Sequence, residues 1–165
     1  MLGEVLSEYP RESYCLVGML GHDFIDGERE GSKGYPRFTS PSLRGESGYR
    51  DFLRRACESS LTNCQTSHFD LVMLHNPDEI GYTSEAVWKG MNALKEEGLS
   101  ERLGIAPGPA NGFTLDLLHV FENFGEVIDW AMIILNPLEP WPGQHVLDSA
   151  VANKVDILTR VVDYG

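Results

Sequence analysis

Apolar residues along this chain fall into short runs, separated by stretches in which they recur at helical spacing. Residues 14–20 form one apolar run and read as a strand. Residues 21–46, rich in Gly, Pro and charge, follow as a loop. Over residues 47–66, Phe52, Leu53, Ala56 and Leu61 keep the spacing of one helix face. Residues 71–74 are a continuous apolar run, as in a parallel strand covered on both faces; the run ends in His75 and turns at Asn76-Pro77-Asp78. Thr83-Ser84 can cap a helix carrying Ala86, Val87, Gly90, Met91 and Leu94, stopped by Gly98. Residues 103–106 read as a third strand, ended by Pro107-Gly108-Pro109. Thr114 is placed to cap a helix bearing Leu117, Leu118 and Phe121, with Gly125 just past its end. Residues 130–135 predict a fourth strand, residues 144–153 a helix, and residues 155–162 a fifth strand.

Five strands in strict alternation with four helices imply parallel βαβ units with right-handed crossovers. The sheet is either open and doubly wound or part of a barrel. No Gly-x-Gly-x-x-Gly follows a strand, which removes the usual dinucleotide signature of the open fold. A closed (β/α)8 barrel takes about 250 residues, and this chain has 165. The expected class is α/β: a single domain over residues 1–165, a partial (β/α)8 TIM barrel of about five parallel strands, incomplete at both ends. An unclosed parallel sheet has two unpaired edges, so self-association through the open barrel edges is expected.

The 13 basic and 25 acidic residues give a charge of −12, which disfavours nucleic acid and anionic membrane as partners. No apolar run approaches the roughly 20 residues of a membrane helix. Residues 1–10 carry two glutamates and do not resemble a signal peptide. Cys15, Cys57 and Cys64 are odd in number and lack metal spacing, which suits a reducing, cytoplasmic setting.

Chemistry in α/β folds sits at the carboxyl ends of strands, where His75 stands. Its two readings are a catalytic or substrate-orienting imidazole and a satisfied turn histidine. His22 and Asp23 also follow a strand, and with His75 and Asp78 they would form a metal cluster suited to a barrel hydrolase; solvated loop residues are the plainer reading. In the long loop, Arg29, Lys33, Arg37 and Arg44 can grip an anion, or belong to a mixed solvated lid with Asp23, Asp26, Glu28, Glu30 and Glu46. Residues 106–112 either approach a ligand through their glycines or form a rigid turn. Trp141 either stacks on a ring or packs.

Several stretches together resemble the aldo-keto reductase family. They are Leu2-Gly3-Glu4-Val5-Leu6 with Pro10-Arg11-Glu12; Ser60-Leu61 before Phe69-Asp70-Leu71; Glu97-Gly98-Leu99 with Leu103-Gly104-Ile105; Asp129 to Asn136 continuing Pro137-Leu138-Glu139-Pro140; and Val155-Asp156-Ile157-Leu158. They follow the family's order from the third to the seventh barrel strand. The resemblance implies a (β/α)8 barrel that reduces carbonyl compounds with NADP(H), a small-molecule substrate, and a catalytic set of Tyr, Lys, Asp and His. His75 matches the family histidine. The lysine position holds Met19, which cannot carry the charge that tunes a tyrosine. The Tyr and Asp belong to segments before residue 2 in family order. For the cofactor, Asn136 fits the pattern, with a turn residue as its plainer reading, and Arg160 takes the place of the residue flanking the nicotinamide ring. Ala106-Pro107 replace a polar pair, Met132 replaces an amide, and the phosphate-binding segment follows the seventh strand, beyond Gly165. By this resemblance the chain is a fragment or a divergent oxidoreductase, inactive by itself. The alternatives are a non-redox use of the barrel, for ligand binding or lyase- or isomerase-like proton transfer, and the metal-dependent hydrolase. No resident metal is expected.

Overall fold

A computed structural model of the chain describes residues 2–108 and 110–163. Pro109, part of the turn expected after the third strand, lies outside the described residues, as do Gly165 and the side chain of Lys33. In chain order the principal elements are α1 (Leu2–Leu6), β1 (Val17–Leu20), α2 (Tyr49–Cys64), β2 (Phe69–His75), α3 (Glu79–Thr83), α4 (Glu85–Glu96), β3 (Ser100–Ala106), α5 (Asp116–Phe124), β4 (Trp130–Ile134), α6 (Gln144–Asn153) and β5 (Asp156–Arg160).

The strands form one parallel sheet in the order β1-β2-β3-β4-β5. Spatial order equals chain order, so every crossover steps the same way. A doubly wound sheet reverses direction at a switch point, and a barrel does not. Five parallel strands with sequential neighbours are therefore an arc of a barrel.

Strand alternation sorts the two faces. Leu20, Val72, Leu74, Leu103, Ile105, Ala131 and Ile133 face the helices and share one buried core with Phe52, Leu53, Trp88, Met91, Leu117 and Phe121. Burying side chains of this size stabilises the fold by roughly 1.5–3 kcal/mol each. Leu71, Met73 and Ala106 form a second cluster on the other face, with Trp130 and Met132 against it. By register Val17 pairs with Leu71, Met19 with Met73 and Leu158 with Met132, so these three belong to that second face as well. They remain 37%, 42% and 36% exposed.

The strand ends differ from the sequence expectation for identifiable reasons. Residues 14–16 lie outside β1 because side chains take over the bonding there. The Asp70 carboxylate accepts the Leu16 N–H, and Arg11 Nη1 donates to the Tyr14 carbonyl. β5 stops at Arg160 because Val161 turns into the left-handed region at φ 57°. Thr114 does not cap α5. It sits inside a 3-10 turn, Asn111–Leu115, and its hydroxyl donates to Asn111 Oδ1 at 3.3 Å. Ser84 does hold the N-cap position of α4, but its side chain makes no capping bond. The short helix α3 escapes the apolar pattern. Asp78 caps it by accepting the Gly81 N–H at 2.9 Å. Among the described residues no helix is long and apolar enough to cross a membrane.

Candidate functional site

β1 leaves the sheet through Gly21. A Cβ there would overlap the His75 carbonyl oxygen, so only glycine lets the chain exit this close to β2. The backbone then pairs His22 with Arg37 in an antiparallel bridge. Asp23 N donates to Pro36 O at 2.8 Å and Phe38 N to Gly21 O at 3.0 Å. This short ribbon lays Arg37 across the strand ends. Its Nε donates to the Asn76 carbonyl and its Nη1 to Nε2 of His22. The His22 and His75 rings stand 5.8 Å apart, tilted by 58°.

From the other side, Arg160 closes in at the end of β5. Its Nη2 donates to Gly108 O at 3.1 Å, two residues past Ala106, the register partner of His75. Burial holds the His75 imidazole below its ordinary pKa, and the Arg37 and Arg160 guanidiniums push the same way. His22 is lowered by burial, then by Arg37 and His75. Both rings are thus neutral near pH 7, and a neutral imidazole offers one N–H donor and one acceptor.

The loop that delivers Arg37 is organised on a buried ion pair. Asp23 is 0% exposed. Its Oδ1 accepts the backbone N–H of Ile25, Asp26 and Gly27, at 3.0, 2.7 and 3.3 Å. Its Oδ2 binds Arg44, which also donates to Phe38 O at 2.6 Å and lies over the Phe52 ring at 4.4 Å. Of the four loop cations, Arg44 is therefore structural, Arg37 reaches the strand ends and Arg29 is exposed.

The metal reading finds no geometry here. Both Asp23 oxygens are occupied, and Asp78 accepts from Thr39 Oγ1 at 2.6 Å and from Gly81 N. Among the described residues, the group whose ligand atoms converge is His68, Asp70 and Glu101, at the opposite end of the strands. There Arg11 holds Asp70 at 2.8 Å, a poor neighbour for a cation.

Asn136 is buried and its amide closes a turn. Oδ1 accepts from Leu138 N at 2.9 Å and Glu139 N at 2.8 Å, and Nδ2 donates to Val161 O at 3.1 Å. It thereby ties the exit of β4 to the residue after Arg160. Gly108 makes room for Phe113, whose ring would lie 2.8 Å from a Cβ. Trp141 meets His145 edge-on at 4.5 Å, and its carbonyl accepts from Asn111 at 3.0 Å.

Tyr82 belongs to this rim and escapes sequence reasoning, because α3 carries no periodic signal. The short cap-and-helix spelled by Asp78 to Gly81 was the available clue. It is 6% exposed, and its hydroxyl accepts from Gly108 N at 3.4 Å. Burial pushes the phenol up to about 12, and burial also raises Tyr49. Neither has the depressed pKa of a proton-donating tyrosine.

The model of the aldo/keto reductase family matches residues 1–157. No curated protein matches. Among solved structures, a putative aldo-keto reductase from Pseudomonas aeruginosa is 24% identical with a TM-score of 0.70, covering 97% of this chain and 54% of that one. The holo form of an aldo-keto reductase from Bacillus halodurans is 20% identical, with a TM-score of 0.71 and coverage of 97% and 46%. An aldo/keto reductase from Klebsiella pneumoniae, solved with NADP and acetate, is 17% identical, with a TM-score of 0.65 and the same coverage of 97% and 46%. The chain spans about half the length of the solved structures it matches.

Proposed function

The chain belongs to the aldo/keto reductase family, and from that premise we propose that it serves in NADPH-dependent reduction of a small carbonyl compound, with His75 holding the carbonyl oxygen. One observation carries this reading: a half-buried imidazole stands at the carboxyl end of β2, kept neutral by burial and by the charges of Arg37 and Arg160. Its N–H donates to the carbonyl oxygen, and the bond strengthens as that oxygen gains charge. Bound NADPH would supply the hydride.

The residues fit that cofactor in part. By the family pattern Arg160 would flank the nicotinamide ring, and Asn136 would support it by fixing the carbonyl of Val161. Met132 and the Ala106-Pro107 pair offer no side-chain polar group. In the family the proton comes from a tyrosine beside a lysine. Met19 holds the lysine position, and Tyr82 and Tyr49 are raised. We therefore assign the proton donor to family segments that precede residue 2, with this chain acting as part of a longer barrel in the cytoplasm.

The test is aldehyde-dependent NADPH oxidation by the chain joined to the neighbouring reading frames. Turnover is expected, with kcat/KM falling about 100-fold or more in His75→Ala, the usual scale for a lost oxyanion donor. Met19 supports a second reading, since a partly exposed thioether replaces the cation that carbonyl reduction requires. Under it the barrel binds ligand or moves protons without redox chemistry. Tight NADPH binding without carbonyl turnover, unchanged by Met19→Lys, would select it.

A further inference from the structure

A chain with a net charge of −12 gathers two guanidiniums and two imidazoles at the exits of β1, β2 and β5. Among the described residues no carboxylate forms an ion pair with Arg37 or Arg160. Both are half-buried. Arg37 spends Nε and Nη1 on the Asn76 carbonyl and His22, and Arg160 spends Nη2 on the Gly108 carbonyl. Asp78 acts on Arg37 through space while its oxygens accept from Thr39 and Gly81, Asp23 binds Arg44, and Glu139 accepts from Asn111 at 2.7 Å. Half-buried cations without a direct carboxylate partner gain when an anion joins them.

We propose that Arg37 and Arg160 receive a carboxylate carried by the carbonyl compound that His75 orients, so that short oxo acids are preferred over neutral aldehydes. This rests on the assignment of His75 given above. Arg37 comes from the loop after β1, on one side of β2, and Arg160 reaches from the end of β5 to Gly108, past the end of β3 on the other side. An anionic carbonyl compound is held at its carboxylate while its carbonyl meets the ring. Arg160 keeps Nε and Nη1 for a planar carboxylate and Arg37 keeps Nη2, so the carboxylate bridges the two guanidiniums. The oxyanion could equally come from a dinucleotide phosphate, and the experiment separates the two sources.

The probe is oxamate, an unreactive oxo-acid mimic, titrated into the chain with the His75 ring signals followed by NMR. Oxamide supplies the same shape without charge, and pyrophosphate stands for the cofactor. Saturable shifts with oxamate, none with oxamide, no displacement by equimolar pyrophosphate, and an oxamate Kd raised about tenfold or more in Arg37→Gln support the proposal. No saturable shift with oxamate, an equal response to oxamide, or displacement by equimolar pyrophosphate overturns it. If Arg37→Gln loses its folded spectrum, Arg160→Gln decides by the same criteria, since its side chain holds one backbone carbonyl. Binding needs no hydride transfer. Failure of oxamate to bind and failure of aldehyde turnover are therefore separate results.

Discussion

Arg37 donates to Nε2 of His22, and this contact fixes the charge state of the imidazole. A guanidinium has no acceptor, so Nε2 must carry a lone pair and the ring proton must sit on Nδ1. Protonating His22 would set two cations face to face and break the ribbon that lays Arg37 over the strand ends.

Stability should therefore fall on mild acidification. His22 and His75 both have folded pKa values below the ordinary 6.5. Between the folded value and 6.5 the unfolded chain binds more protons, so stability rises with pH there. The contribution is fully present above pH 6.5 and is lost as pH falls through the folded values. Thermal melts at fixed ionic strength from pH 7.5 to 5 should show Tm decreasing, with a shallower decrease in His75→Gln. A flat profile over that range would contradict the neutral pair.

Asp23→Ala should be among the most damaging substitutions in the loop. It leaves Arg44, whose side chain is 10% exposed, with the more exposed Asp26 as its remaining carboxylate at 2.9 Å, and three backbone N–H groups without their acceptor. Breaking a buried pair outright costs about 3–5 kcal/mol, and with Asp26 still paired to Arg44 the expected loss is about 2–3 kcal/mol. Denaturant unfolding reads the loss, and hydrogen exchange should quicken across residues 21–48. A change below about 1 kcal/mol would show that the pair does not organise the loop.

Gly21→Ala tests the close approach of the β1 exit to β2. The added methyl meets backbone, the His75 carbonyl, and backbone cannot swing away as a side chain can. The expected cost is about 1–3 kcal/mol. The His75 amide and ring signals should move in the NMR spectrum, whereas the substitution Gly112→Ala, where a Cβ meets nothing within 4 Å, should leave them in place.

Much of this frame is legible in the sequence, for physical reasons. β2 shows as an apolar run because both its faces are covered, and α6 runs over the residues its spacing predicts. β1 and β5 are read too long because apolar composition does not register the Asp70 bond to Leu16 or the Asn136 bond to Val161. His75 is legible from its place at a strand end. Arg37 is one loop cation among four in the sequence, and its approach to His22 depends on a fold of the loop around Asp23 and Arg44. The roles open to Asp23 as a metal ligand close for the same reason.

Self-association of the chain should depend on the second face of the sheet. β1 and β5 each have one unpaired edge, and Val17, Met19 and Leu158 lie partly exposed beside Leu71, Met73 and Met132. Unpaired strand edges next to an apolar face are templates for pairing, and an inward-pointing charge is a common way to block them. The overall negative charge opposes association but is screened within about 8 Å at physiological salt. Light scattering after size exclusion should find oligomers whose share grows with salt. Met19→Lys and Leu158→Lys should each reduce that share. Both positions are more than a third exposed, so each change should cost less than about 1 kcal/mol in the monomer. A single monomer peak at all salt concentrations, with a cooperative melt, would mean that this face is satisfied within the chain.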